Sequence, residues 1–590
     1  MKRFNRTLAA VMAFSMLVSV TACTVRSSAE REKNPEPSKP EYSEPFNTPV
    51  PSTPGALIEP DDQITDFSMF SVYVGINKDK GNEIKELIAE KTGVRVEETW
   101  LSQYGMTTDE AVDSIIASGN YPDFVDCGDR NIDLYKNGCL VAWDDYLEMY
   151  PNLKEFYSDE EWDTFRQDDG HIYWANVLGN YYGKNTAPTH TDMAFWIQVR
   201  VLEWAGYPKI ETLDDYFDLL ERYYEANPTM PDGQEIIPYT CICESWRIFG
   251  LDGAPTLLDG YTDNHCVNVD TTNGMNKPAA IDNNTTDTAK AYFRKLNEEY
   301  QKGIVDPEFE VQTYDEYILK ISSGKVLGMF DYYWDFGYST EFRYETVGRT
   351  GQTLSELGCD YVPLGLVAER GMEQSYHVYN ELSDTSSGIA VTVSCVDVDL
   401  AFSFLNDLLD QEIHDLRFWG IEGVDYLIDE YGLYYRTEEM RIAWEDPEYL
   451  TRHVCEYSMM PQWKGMSRDG INRMMPSEQP SEFQAGLPKP VVTCFKAYGV
   501  ENYVEFLGSA RKDPGPWYPL WTWSNMLSTD TPEGWAWYLM GECKHKWLPE
   551  VVMAGDFDET WNEYMAEYQE CDPDVFINAA QSEVNARLGI

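Results

Sequence analysis

Between residues 69 and 126 the chain switches repeatedly between two periodicities, and few folds accommodate that alternation. Met69 to Ile76 reads as a buried strand. Asn82 to Lys91 follows as a helix with Ile84, Leu87 and Ile88 on one face, stopped by Gly93. Val94 to Trp100 is a second strand. Thr108 to Ser118 is a second helix, with Ala111, Val112, Ile115 and Ile116 inward and Gly119 past its end. Phe124 to Asp126 is a third strand. A βαβαβ order predicts an α/β fold with a parallel, doubly wound sheet. Ligands of such sheets bind beyond the carboxyl ends of the strands, here Trp100 and the stretch Asp126 to Asp129.

At 590 residues the chain is long enough for two or more domains or lobes, and 43% hydrophobic residues can fill their cores. A second α/β region is predicted after residue 186. Phe195 to Val199 is strand-like. Thr212 opens a helix as its cap, with Asp215 at the third helical position and Leu213, Phe217, Leu220 and Tyr224 as its apolar stripe. Asn227-Pro228 ends it. Gly388 to Ser394 reads as a strand, Asp399 to Leu409 as a helix, and Phe557, Trp561, Met565 and Tyr568 keep helical spacing.

The N-terminus predicts export. Lys2, Arg3 and Arg6 precede an apolar run from Leu8 to Val20, too short to span a hydrocarbon core about 30 Å thick but suited to a signal peptide. Val20-Thr21-Ala22-Cys23 resembles the lipobox of bacterial lipoproteins, which implies lipidation of Cys23 and cleavage just before it. Acyl chains on that residue would anchor the protein to the outer face of the membrane. Residues 23–62, rich in Pro, Ser, Glu and Lys, read as a disordered tether. A formal charge of -56 argues against nucleic-acid binding. The 12 cysteines are spread singly and form no disulfide framework, and the Cys241-x-Cys243 pair reads as packing.

Enzyme signatures are absent from the sequence: it has no phosphate-binding P-loop, H-E-x-x-H, G-x-S-x-G elbow or dinucleotide fingerprint. The seven histidines are scattered, and no EF-hand loop occurs. No cofactor and no metal are expected. A glycoside hydrolase needs only two carboxylates, so among 101 acidic residues that alternative stays open. Aromatic residues make up 14% of the chain, with 18 Trp and 40 Tyr. Such side chains suit the apolar faces of sugar rings, although most of them should fill cores.

Several ordered blocks carry a resemblance over nearly all of residues 65–590. They include Ile116-Ala117-Ser118-Gly119-Asn120-Tyr121-Pro122-Asp123, Asp169-Gly170-His171-Ile172-Tyr173, Phe195 to Gly206, Glu211 to Tyr216, Gly303 to Phe309, Ser323 to Met329, and Gly420-Ile421-Glu422-Gly423-Val424-Asp425-Tyr426. Together they resemble the family 1 extracellular solute-binding proteins of ABC importers, especially the large LplA-type lipoproteins of Gram-positive bacteria. The resemblance implies a two-lobe, Venus-flytrap fold of the periplasmic-binding-protein type II class, each lobe a mostly parallel sheet flanked by helices. It implies lobes at 63–186 and 187–387, with 388–590 returning to the first lobe and adding helical segments to both. It implies a monomer that closes on a carbohydrate, most simply an oligosaccharide, and docks on the transmembrane subunits of an ABC permease. A peptide or another small solute is the alternative ligand, and a sensor or adhesin without a transporter the alternative role. Candidate ligand residues at strand ends are Trp100 and Asp129 in the first lobe, Tyr181 and Tyr182 in the following loop, Trp246, Asp331, Tyr333 and Trp334 in the second, and Trp463 in a later loop. Trp and Tyr would stack on sugar rings, and Asp would accept from pairs of hydroxyls. The cluster Trp517, Trp521 and Trp523, surrounded by prolines, is expected to be structural.

Overall fold

A computed structural model describes residues 64–590, apart from 74, 76, 77, 79, 102–105, 179, 184, 341–351, 379–384 and 509–513. The signal peptide, Cys23 and the tether lie outside the described residues. The described chain forms two compact units, one of residues 64–185 and 385–482, the other of 186–384 and 483–590.

In the first of these units a five-stranded sheet runs in the order Val94–Trp100, Thr65–Ser71, Phe124–Asp126, Ile389–Val391, Trp174–Ala175. The helix Glu83–Thr92 begins where the Asn82 side chain accepts from the backbone N–H of Lys85 at 3.0 Å. It ends at Gly93, whose φ of +74° lets the chain reverse directly into the next strand. The helix Thr108–Ser118 starts with a reciprocal capping box between Thr107 and Glu110. The first strand begins at Thr65 and ends at Ser71, so it lies earlier than the expected 69–76 span. Its polar first residues give no apolar signal, yet they pair in parallel with Val94 and Arg95.

The second unit holds a four-stranded sheet in the order Tyr361–Leu364, Met193–Gln198, Val326–Tyr332, Ile237–Thr240. Every residue of the two central strands is buried. Each sheet is mostly parallel, as expected, with a single reversed strand. Met193–Gln198 runs antiparallel to both neighbours, and Ile389–Val391 does the same in the other sheet. A strand buried on both faces reads as a continuous apolar run whichever way its neighbours point, so the sequence pattern carries no direction. Behind this sheet pack the helices Asp287–Gln301, Pro532–Met553, Phe557–Glu570 and Pro573–Leu588. The Asn297 amide donates to the carbonyls of Val551, Val552 and Ala554, satisfying the end of the long Pro532–Met553 helix.

Of the eleven cysteines from Cys127 onward, all are free thiols and all but Cys395 are buried. Cys241 and Cys243 sit in the core, where the Cys243 thiol donates to the Phe309 carbonyl at 3.2 Å. Among the described residues no group of three or more His, Cys, Asp or Glu is placed to hold a metal, and no helix is long and apolar enough to cross a membrane.

His453 links two parts of the first unit. Its ring nitrogens lie 2.9 Å from Glu83 and 2.7 Å from Asp425. Burial alone would lower its pKa, but the bonds and charges of Asp425 and Glu83 outweigh burial and raise it. Burial would likewise raise that of Asp425, but donation from His453, Ile421, Tyr449 and Trp444 lowers it. The pair should therefore stabilise the fold fully between the ordinary carboxylate and imidazole values, about 4 and about 6.5. That stability should be lost above this window as His453 deprotonates, and below it as Asp425 protonates. Urea unfolding at a series of pH values should show both losses. His453→Gln should remove the alkaline one and cost about 1–3 kcal/mol at pH 6.

Candidate ligand site

A pocket of about 460 Å³ opens in the unit formed by 186–384 and 483–590. Several separate segments wall it, among them Asp192–Met193 and the stretch from Ser375 to Val378. The strand Val326–Tyr332 delivers Tyr332 at its end, and Trp334 follows in the helix Tyr333–Thr340. The turn Ser245–Ile248 presents Trp246, and the helix Phe249–Asp252 adds Phe249. This helix lies close to the sheet because Gly250 and Gly253 have no side chains. A Cβ on Gly250 would come within 2.9 Å of Ile242, and one on Gly253 within 2.7 Å of Met193. A further segment supplies Asp263 and His265, and another supplies Tyr518, Trp521 and Asn525.

Most of the aromatic surface is contiguous. Trp246 and Trp334 lie nearly parallel, 8° apart with ring centres 5.9 Å apart. A ring inserted between them would need about 3.5–4 Å on each side, so the pair forms a platform rather than a clamp. Tyr332 adjoins Trp334 at 5.0 Å, and Phe249 stands edge-on to Tyr332 at 5.0 Å. Exposed tryptophans are costly to leave in water, yet Trp246 is 57% exposed and Trp334 39%.

Polar groups converge at the other end. The Tyr332 hydroxyl donates to the Asp263 carboxylate, and its oxygen also lies within hydrogen-bonding reach of Nε2 of His265. Burial, followed by the Asp263 charge, holds the phenol well above its ordinary pKa, so it remains a hydroxyl donor. The His265 backbone donates to Asp263 at 2.9 Å, closing the turn that fixes both side chains.

Arg247 holds the underside of the platform. Its Nε lies 3.0 Å from the buried Asp335, and its guanidinium lies 4.4 Å over Trp246 and 3.7 Å over Tyr314. The Tyr314 hydroxyl donates to the Asp335 carbonyl at 2.5 Å.

The strand pleat turns Asp331 inward and Tyr332 to the pocket. In the first turn of the helix that follows, Trp334 reaches the pocket and Tyr333 does not line it. Asp331 is fully buried and accepts from the Tyr317 hydroxyl at 2.6 Å. Burial and the charge of Asp335 push its carboxyl well above the usual range. Tyr333 packs against Trp196 and Phe336. The remaining candidates belong to the other unit. Trp100 is 1% exposed, with Gly75 so close that a Cβ there would overlap its ring. Asp129 is exposed on the turn Gly128–Arg130. Tyr181 and Tyr182 form a short strand beside Lys464–Gly465, and Tyr182 meets the buried Trp463 edge-on at 5.5 Å.

The structure thus brings Trp246 and Trp334 together and adds Tyr332, Phe249, Asp263, His265 and Trp521. Of the tryptophan cluster expected to be structural, Trp517 is buried and Trp523 packs on Phe576, whereas Trp521 lines the pocket. No spacing in the sequence joins segments so far apart.

No protein-family model matches this chain, and no curated protein matches it in sequence. Solved structures do match its fold. An HMO-binding, ABC-transporter-associated solute-binding protein from Bifidobacterium longum infantis superposes with a TM-score of 0.58 at 14% identity, over 89% of this chain and 99% of that one. The pneumococcal substrate-binding protein FusA, in an EF-hand mutant complexed with fructo-nystose, gives 0.58 at 16% identity, over 89% and 100%. The alginate-binding protein AlgQ2 without calcium gives 0.52 at 15%, over 89% and 98%. The chain shares the fold of these solute-binding proteins. Within that solute-binding fold, Arg247 is a positioning residue for the platform. Arg247→Met should leave Asp335 buried without its cation and cost about 3–5 kcal/mol in denaturant unfolding. Adding Asp335→Asn should recover most of that loss. If the two substitutions simply add, the ion pair does not support this wall.

Proposed function

We propose that this protein is the substrate-binding component of an ABC importer, which captures an oligosaccharide outside the cell and passes it to a membrane permease without altering it. The observation that carries this reading is the exposed Trp246–Trp334 platform beside Asp263, His265 and Tyr332. Sugar rings are apolar on their C–H faces and hydroxylated at their edges. A stacking surface next to a fixed set of acceptors and donors satisfies both at once. The fold supports the reading, because solved proteins that share it are described as binding oligosaccharides for ABC transporters. The N-terminal residues support an anchored form: a basic start, a short apolar run and the Val20 to Cys23 lipobox suit lipidation at Cys23. Capture at the membrane surface keeps the binding protein close to its permease.

Two outcomes are expected. Titrating a panel of oligosaccharides against the protein while following Trp fluorescence should identify a ligand. Trp246→Ala and Trp334→Ala should each weaken its binding about tenfold or more. Unchanged affinity in both variants would remove the platform from the site. In cells, Cys23→Ser should shift the protein from the membrane fraction to the medium while its sugar affinity persists. A Ser variant that still sediments with membranes would contradict lipid anchoring.

A further inference from the structure

Two thiols in the C-terminal helical layer pack against each other. Cys543 stands mid-way along the helix Pro532–Met553, and Cys571 closes the end of the helix Phe557–Glu570. The Cys571 sulfur lies 3.5 Å from the carbonyl of Leu539 and 3.5 Å from that of Glu567, so it sits between the two helices. Leu539 is one turn before Cys543 on the same helix face. The thiols of Cys543 and Cys571 share a hydrogen bond. About one turn further along each helix, the Lys546 ammonium lies 2.8 Å from the Glu567 carboxylate and holds the helices in this register. Cys127, Cys241 and Cys494 are buried completely, whereas Cys571 keeps 8% of its surface exposed and Cys543 4%. Nothing in the sequence spacing marks this pair, because helix packing brings it together.

We propose that Cys543 and Cys571 are a redox-active pair, which closes to a disulfide and clips the two helices together when a low-molecular-weight disulfide reaches it. Burial raises the pKa of both thiols, that of Cys543 up to about 12, but the hydrogen bond from Cys543 works against burial at Cys571. Cys571 is therefore the attacking thiol and Cys543 the resolving one. The Cys571 thiolate attacks one sulfur of the oxidant. The oxidant's S–S bond breaks, one half leaves as a thiolate that takes up a proton, and the other half stays on Cys571 as a mixed disulfide. Cys543 then gives up its proton and attacks the Cys571 sulfur, which expels the second half. Two protein thiols are oxidised, and the oxidant is reduced to two free thiols that carry both protons away. The new bond encloses residues 544–570 and so restricts the unfolded chain. The helix Pro573–Leu588 starts just after Cys571, and its Arg587 donates to the carbonyls of Trp517 and Pro519, beside the pocket residues Tyr518 and Trp521. A clip at Cys571 thus fixes the layer that carries one wall of the pocket. This chemistry stands apart from sugar capture. Export, proposed above from the N-terminal residues, would bring the pair to such oxidants.

The test incubates the folded, full-length protein with oxidised glutathione, and a second sample with dithiothreitol. Remaining thiols are then alkylated, and the protein is digested without reduction for mass spectrometry. In the oxidised sample the peptides bearing Cys543 and Cys571 should appear joined, lighter together by two hydrogen atoms, and the titratable thiols should fall by two. The urea midpoint should rise on oxidation and return after dithiothreitol. Cys543→Ser should trap one glutathione on Cys571 and show no rise in midpoint, whereas Cys571→Ser should trap none on Cys543. Should either variant fail to fold, the peptide map of the unaltered protein decides alone. A folded protein that keeps all its thiols, a link between other cysteines, or a link that forms only in urea would overturn the pairing. A linked protein with an unchanged urea midpoint would overturn the clip.

Discussion

The strand Val326–Tyr332 is buried from end to end, and the pocket depends on that burial. Its pairing with Met193–Gln198 places Tyr332 opposite Met193 and Asp331 opposite Ala194. The end of one strand therefore meets the start of the other at one edge of the sheet. There the Trp334 N–H donates to the Thr191 carbonyl at 3.2 Å. A shift of one residue in this register would turn Asp331 toward the pocket and Tyr332 into the core. The register is held from both sides. Trp196 donates from its indole nitrogen to the Asp331 carbonyl, and the Tyr216 hydroxyl donates to the Trp196 carbonyl, both at 2.8 Å. Gly328 leaves room for Tyr216, whose hydroxyl would lie 2.0 Å from a Cβ at that position. The aromatic platform is thus the exposed edge of a core with little freedom to repack.

The blocks that carry the family resemblance turn out to mark structural hubs. Asp123 accepts from the Ser68 backbone and hydroxyl at 2.7 Å and from the Val396 backbone at 2.8 Å, tying the first strand to the chain that follows Ile389–Val391. Asp306 accepts from Thr240 at 2.9 Å and from Lys320 at 2.7 Å. Asp425 gathers His453, Tyr449, Trp444 and the Ile421 backbone. Beside it, Gly420 has a φ of +89°, and a Cβ there would fall 2.4 Å from the Asp425 carboxylate. A buried carboxylate with several donors tolerates little substitution. None of these three carboxylates lines the pocket. The motifs therefore speak for the fold, and the ligand surface lies in other segments.

That division explains what could be read from the sequence. The strands Val94–Trp100 and Phe124–Asp126 and the helix Thr108–Ser118 match the expected spans, because apolar periodicity and glycine stops are local signals. The capping box at Thr212 and Asp215 was equally legible. The βαβαβ order likewise indicated the parallel pairing of the first three strands, whereas the reversal of Met193–Gln198 and Ile389–Val391 was not legible, since it depends on partners far away in the chain. Trp246 and Trp334 could be proposed from their position near strand ends. Asp263, His265 and Trp521 could not: the first two reach the pocket through a turn in which His265 adopts a φ of +60°, and Trp521 through a helix of a single turn, too short to show a periodic pattern.

Capture without turnover is the central claim, and one combined measurement tests it most directly. The purified protein is mixed with the oligosaccharide panel in a calorimeter, and each sugar is afterwards recovered and its length determined by chromatography. The proposed role predicts saturable heat for a subset of sugars, one ligand per protein, with every sugar recovered at its original length. Shortened products that accumulate with time, from the same sugar that gives the heat, would contradict it and make the protein a glycoside hydrolase.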